Sequence, residues 1–87
     1  MKIKPGFLLR NIGNENIIVP LKTQTFYRNK ILKINEIGAF LFKLMECEIS
    51  EEELVTNIIN EYDVDISTAK QDIAELLHTF TEKGLLE

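Results

Sequence analysis

A single cysteine, Cys47, leaves this 87-residue chain without an internal disulfide, and one histidine, His78, completes no ligand set for a tetrahedral zinc site. No apolar run approaches the roughly 20 residues that cross a bilayer. The opening Met1-Lys2-Ile3-Lys4-Pro5 lacks the apolar stretch of a secretory signal, so the expectation is a cytosolic protein with no membrane partner. The four glycines, Gly6, Gly13, Gly38 and Gly84, are dispersed; there is no glycine-rich phosphate loop, no paired-cysteine motif and no nucleophile elbow. Together these absences argue against an enzyme, a metal and any other cofactor. What is there is an ordinary globular balance, 45% hydrophobic and 28% charged, which excludes a disordered or low-complexity chain. The length suits one domain over residues 1–87 with one core.

Basic residues are scarce in the second half. Residues 1–45 carry eight basic side chains against two acidic ones, a net +6. Residues 46–87 carry Lys70 and Lys83 against twelve acidic side chains, a net −10, and the halves give the overall −4. Such a dipole can steer a charged partner to one face, or serve only solubility and attraction between the halves.

The first third reads as short strands at about 7–12, 16–20 and 30–34, because β-branched and large apolar residues cluster between turn residues. Gly13-Asn14-Glu15-Asn16 supplies turn chemistry between the first two, and Pro20, with no N–H to give a ladder, ends the second or turns that position away from a partner. Thr25-Phe26-Tyr27 reads as a short extended piece before the polar turn Arg28-Asn29-Lys30.

From Asn35 the apolar period changes from about 2 to about 3.6, predicting helices at about 35–47, 50–62 and 66–84. Asn35 is placed to cap the first, whose stripe is Ile37, Phe40, Leu41, Leu44 and Met45. Ser50-Glu51-Glu52-Glu53 is a capping box for the second, with Leu54, Val55, Ile58, Ile59 and Tyr62 on its apolar side. Asp65 caps the third, which carries Ala69, Ile73, Leu76, Leu77 and Phe80 and stops at Gly84. The fold class that follows is α+β: a winged-helix-like domain with a three-stranded antiparallel sheet followed by three helices. Its sheet keeps free edges, which offer unpaired N–H and C=O groups to another extended chain.

The polar residues that could suggest chemistry have plainer explanations. His78 sits within a helix as a surface or partly buried residue. Acidic neighbours Glu46 and Glu48 disfavour a Cys47 thiolate, which leaves a structural cysteine. Glu51, Glu52 and Glu53 belong to a helix N-terminus rather than a cation. The alternative function for this plan is a winged-helix DNA-binding or transcription-regulatory domain. Charge opposes it, because the would-be recognition helix sets Lys70 and Lys83 against Asp72, Glu75 and Glu82, and duplex affinity comes largely from neutralised phosphates. Lys22, Arg28, Lys30 and Lys33 on the strand side leave only a weaker, wing-mediated route to nucleic acid.

The order of motifs resembles the PqqD-like family, the RiPP recognition elements, over nearly the whole chain. The resembling stretches are Lys4-Pro5-Gly6-Phe7-Leu8-Leu9-Arg10, Ile34-Asn35-Glu36-Ile37-Gly38-Ala39-Phe40-Leu41-Phe42, Glu61-Tyr62-Asp63-Val64-Asp65, Asp72-Ile73 and Lys83-Gly84-Leu85-Leu86. The resemblance implies a non-catalytic peptide chaperone that binds the leader segment of a ribosomally synthesised precursor peptide and presents it to a modifying enzyme, often a radical SAM protein. The family's leader adds a strand to the third strand and packs on the third helix. Carried over, the peptide-binding residues are Ile31, Leu32, Lys33 and Ile34 on the strand and Ile73, Leu76, Leu77 and Phe80 on the helix, only some of the latter facing the groove. Lys33 and Lys70 would flank it and attract acidic leader residues. The expected state is a monomer or a weak homodimer paired through its own sheet edges. Two positions depart from the family pattern: Phe42 stands where tryptophan is frequent, and Cys47-Glu48 where glycine is common.

Overall fold

The computed structural model describes residues 1–21 and 32–87. The expected extended piece Thr25-Phe26-Tyr27, the turn Arg28-Asn29-Lys30, Lys22 and the proposed strand residue Ile31 lie outside the described residues. Three strands, β1 (Phe7–Ile12), β2 (Glu15–Pro20) and β3 (Leu32–Ile34), precede three helices, α1 (Glu36–Leu44), α2 (Glu51–Glu61) and α3 (Ile66–Glu82). This is the α+β plan expected. The sheet is antiparallel in the order β1-β2-β3, which leaves β1 and β3 at its edges.

A two-residue loop joins β1 to β2, since Ile12 pairs with Glu15. Gly13 takes φ +64 there while Asn14 does not go positive, the backbone pattern of a type II′ hairpin turn. The second strand therefore starts at Glu15, one residue before the expected Asn16, because the tighter loop needs only Gly13 and Asn14. Pro20 is the last residue of β2, as its missing N–H requires.

Each helix starts where its capping residue dictates. Asn35 Oδ1 accepts from the Gly38 N–H at 2.8 Å, and Asp65 Oδ1 from the Thr68 N–H at 2.7 Å. Ser50 and Glu53 form a reciprocal capping box, each side chain accepting from the other's main-chain N–H at 3.1 Å. The α1 helix ends at Leu44 rather than near residue 47. Its last turn tightens, the Met45 N–H reaching both Leu41 O and Phe42 O and the Glu46 N–H reaching Lys43 O, so the chain leaves the helix without a left-handed residue. That is how α1 stops with Cys47-Glu48 in place of a glycine. Cys47 itself is exposed in this turn, so the expectation of a packed, structural cysteine does not hold. At the end of α3, Gly84 takes φ +74, its N–H bonds Thr81 O, and the Leu85 N–H bonds Phe80 O at 2.9 Å. Those two bonds make a Schellman motif and turn Leu85 into the core.

One apolar core lies between the sheet's inner face and the helices. Ile18, Met45, Leu54, Ile58, Ala69, Phe80 and Leu85 have no exposed surface, and Leu41, Phe42 and Ile73 only 1%. Phe42 meets Phe80 edge to face, ring centroids 6.3 Å apart at 88°, so a phenyl ring serves where the family pattern favours tryptophan. The N-terminal residues close the other side. Ile3 bridges Leu86, its N–H donates to Met45 O at 2.8 Å, and the Lys4 N–H donates to Leu85 O at 2.7 Å. Among the described residues, no helix is long and apolar enough to cross a membrane.

Candidate functional site

The alternation of the antiparallel ladder decides which main-chain groups are available at the β3 edge. The Leu21 N–H donates to Gly6 O at 2.7 Å, one step beyond the Phe7↔Pro20 pair. Hydrogen-bonded pairs recur every second residue, so Glu15, Ile17 and Val19 direct their main-chain groups to β1, and Asn16 and Ile18 direct theirs to β3. Their β3 partners are Ile34 and Leu32. Lys33, opposite Ile17, therefore turns its N–H and C=O away from β2, toward the open edge. Among the described residues no strand pairs with β3 on that side, so the outward edge is centred on Lys33.

The same three residues split between the sheet faces. Leu32 and Ile34 are half-buried against the core, and the exposed Lys33 points to the other face, where its ammonium lies 3.2 Å from Glu15 Oε1. This pair is exposed and contributes about 0–1 kcal/mol.

On the inner side of the β3 edge lies an open groove of about 250 Å³. Leu32, Lys33, Ile34 and Asn35 form one wall; Ile37, Gly38 and Leu41 of α1 form the floor; Asp72, Glu75, Leu76 and Thr79 of α3 form the opposite wall. Its volume is below the roughly 300–1,000 Å³ of a small-molecule pocket, and its open shape suits side chains of an extended peptide. Gly38 makes the floor possible: a Cβ built there would stand 3.0 Å from Ile34 Cβ and 3.5 Å from Leu76 Cδ1. Glycine lets α1 and β3 approach while leaving room above them. Among the described residues no cluster of His, Cys, Asp and Glu is arranged to hold a metal ion. His78 is exposed and pairs with Glu82 at 2.7 Å, one turn along α3 and outside the groove.

Of the residues expected on sequence grounds, the structure brings Leu32, Lys33, Ile34 and Leu76 to the groove. Ile73 and Phe80 are buried in the core, and Leu77 packs against it. Lys70 is exposed but does not line the groove. The helical period explains this division. Asp72, Glu75, Leu76 and Thr79 follow i, i+3, i+4, i+7 and make one stripe; Ala69, Ile73 and Phe80 lie about a quarter-turn round toward the core. Lys70 and Leu77 fall nearly opposite the groove stripe. Sequence reasoning missed Asn35, Ile37, Gly38, Leu41, Asp72, Glu75 and Thr79 as groove residues. The available signal was the Asp72, Glu75, Leu76, Thr79 spacing, a mixed polar and apolar stripe bordering the core stripe.

Fold and site define a class: a small α+β domain whose edge strand β3 runs beside a groove of mixed apolar and polar lining closed by a helix. The chain belongs to the family of coenzyme PQQ synthesis protein D (PqqD), whose sequence pattern matches residues 15–86. Two solved structures are similar to it. One is described as TbiB1 in complex with the TbiA(beta) leader peptide, with 30% identity and TM-score 0.76, the match covering 100% of this chain and 95% of that one. The other, described as lasso peptide synthetase B1 complexed with the leader peptide, has 17% identity and TM-score 0.72, the match covering 97% of this chain and 93% of that one, and it supports the fold. Among curated proteins, none matches.

Proposed function

We propose that this protein is a non-catalytic peptide chaperone. It captures the leader segment of a ribosomally synthesised precursor peptide as an extra strand on β3 and presents the precursor to a modifying enzyme, a radical SAM protein or another peptide-modifying enzyme. The observation that carries this reading is the coincidence of two features: a Lys33 N–H and C=O that pair with no strand among the described residues, and a groove with an apolar floor directly beside them. Strand addition uses both, main-chain bonds for affinity and side-chain pockets for selectivity. Membership of the PqqD family and the likeness to leader-peptide complexes support the same partner. Precursors of this kind are made by cytosolic ribosomes, so the complex forms in the cytosol. The charge of α3 disfavours duplex DNA.

The test is an NMR titration of the isotope-labelled protein with the leader segment of the precursor encoded nearest to its gene. Saturable shifts are expected at the amides of Leu32 to Ile34 and along residues 69–81, with modest salt dependence. Unmoved amides with the leader, alongside α3 shifts with duplex DNA at physiological salt, would replace this function by DNA binding.

A further inference from the structure

We propose that the groove selects a leader segment bearing a lysine or arginine two residues from an apolar anchor, with Asp72 and Glu75 receiving the cation. This rests on strand addition at β3 and specifies the occupant. Asp72 is half-buried and Glu75 exposed on the α3 wall, one turn apart, with Leu76 beside them. Neither carboxylate forms an ion pair with a described residue; the Glu75 carboxylate accepts a bond from the Gln71 side-chain amide at 3.4 Å. The two lysines expected to flank the groove do not answer them. Lys33 reaches Glu15 on the other sheet face, and Lys70 lies on the far side of α3.

The groove therefore presents an apolar floor and an anionic wall. In a strand added to β3, alternate side chains face the groove, about 6.7 Å apart. One such position seats an apolar side chain against Leu32, Ile34 and Ile37. The neighbouring one meets the α3 wall, where a lysine or arginine can lay its methylenes over Leu76 and set its charged end against the carboxylates. Arginine has the further option of a bidentate bond to Asp72. An acidic residue at that position would face like charges, so the charge preference is opposite to that expected from Lys33 and Lys70.

A displayed library of random linear peptides, selected on the full chain, tests this directly. Recovered peptides that shift the Leu32 to Ile34 amides should share an apolar residue with lysine or arginine two positions away. Selection on the doubly neutral variant Asp72→Asn/Glu75→Gln should keep the apolar preference and lose the basic one. Recovered basic peptides should bind that variant about five- to tenfold more weakly than the wild type. Peptides that shift the β3 amides with no basic preference, or with an acidic one, would overturn the charge selection and leave strand capture standing. Selection of no peptide that moves those amides would overturn strand capture and this inference together.

Discussion

Replacing Lys33 by proline removes the one N–H that β3 directs to its open edge, and the ladder to β2 loses nothing, because that N–H is not shared with β2. Leu32 is already extended, as the residue before proline must be, and proline is tolerated in edge strands whose N–H faces outward. Removing the donor leaves a peptide carbonyl unsatisfied against the proline ring, which costs about 1–3 kcal/mol. Peptide affinity should therefore fall by about 1–3 kcal/mol, roughly 5- to 150-fold in Kd. The substitution also deletes the Lys33–Glu15 pair, so Lys33→Ala is the reference, having lost the ion pair but kept the N–H. Fluorescence anisotropy of a labelled leader peptide gives the two Kd values, and urea unfolding gives the stabilities, which should agree within about 1 kcal/mol. Equal affinity in the proline and alanine variants, with both folded, would refute strand addition at this edge.

Leu76→Ala should weaken peptide binding at a stability cost of about 1–2 kcal/mol, because this half-buried side chain lines the groove; Phe80→Ala should cost about 3–5 kcal/mol by emptying a fully buried site against Phe42, as urea melts of the two will show. Gly38→Ala gains about 1 kcal/mol of helix propensity but drives a methyl to 3.0 Å from Ile34 Cβ, so thermal stability should change little while anisotropy reports weaker binding. The Thr68 N–H bond holds the Asp65 carboxyl below the ordinary aspartate range. A folded-state pKa lowered in this way contributes stability above the unfolded value, which is lost as the pH falls through the folded one. Asp65→Asn keeps a cap that does not titrate, so the wild type's urea midpoint should fall relative to that variant's between neutral pH and the region below about pH 4.

The helices were legible because their ends are written in local chemistry. Asn35, Ser50 with Glu53, and Asp65 each bond the main chain three residues on, and Gly84 supplies the positive φ of a Schellman turn. None of these signals depends on tertiary context. The N-terminal clasp was not legible for the opposite reason: Ile3 and Lys4 bond Met45 and Leu85, more than forty residues away, and nothing in Met1-Lys2-Ile3-Lys4-Pro5 marks those partners. The β3 position was partly legible, since apolar residues cluster in Ile31-Leu32-Lys33-Ile34 after the polar turn Arg28-Asn29-Lys30, but the direction of the Lys33 N–H follows from a register set on the far side of β2.

The α3 side of the groove shows most clearly what periodicity can and cannot decide. An apolar stripe identifies the face of a helix that is buried, and Ala69, Ile73 and Phe80 satisfy that expectation. A binding groove lies at the margin of such a face, where a helix leaves the core and meets a second element, so its lining mixes apolar and polar residues. Leu76 belongs to both stripes, which is why it alone of the four apolar α3 residues expected to bind also lines the groove. Once it is recognised as the border, the residues three and four positions before it, Ile73 and Asp72, separate into core and groove, and Thr79 and Phe80, three and four positions after it, separate the same way. Asp72 and Glu75, which in the sequence stand out only as charges opposing duplex DNA, fall on the groove side of that border.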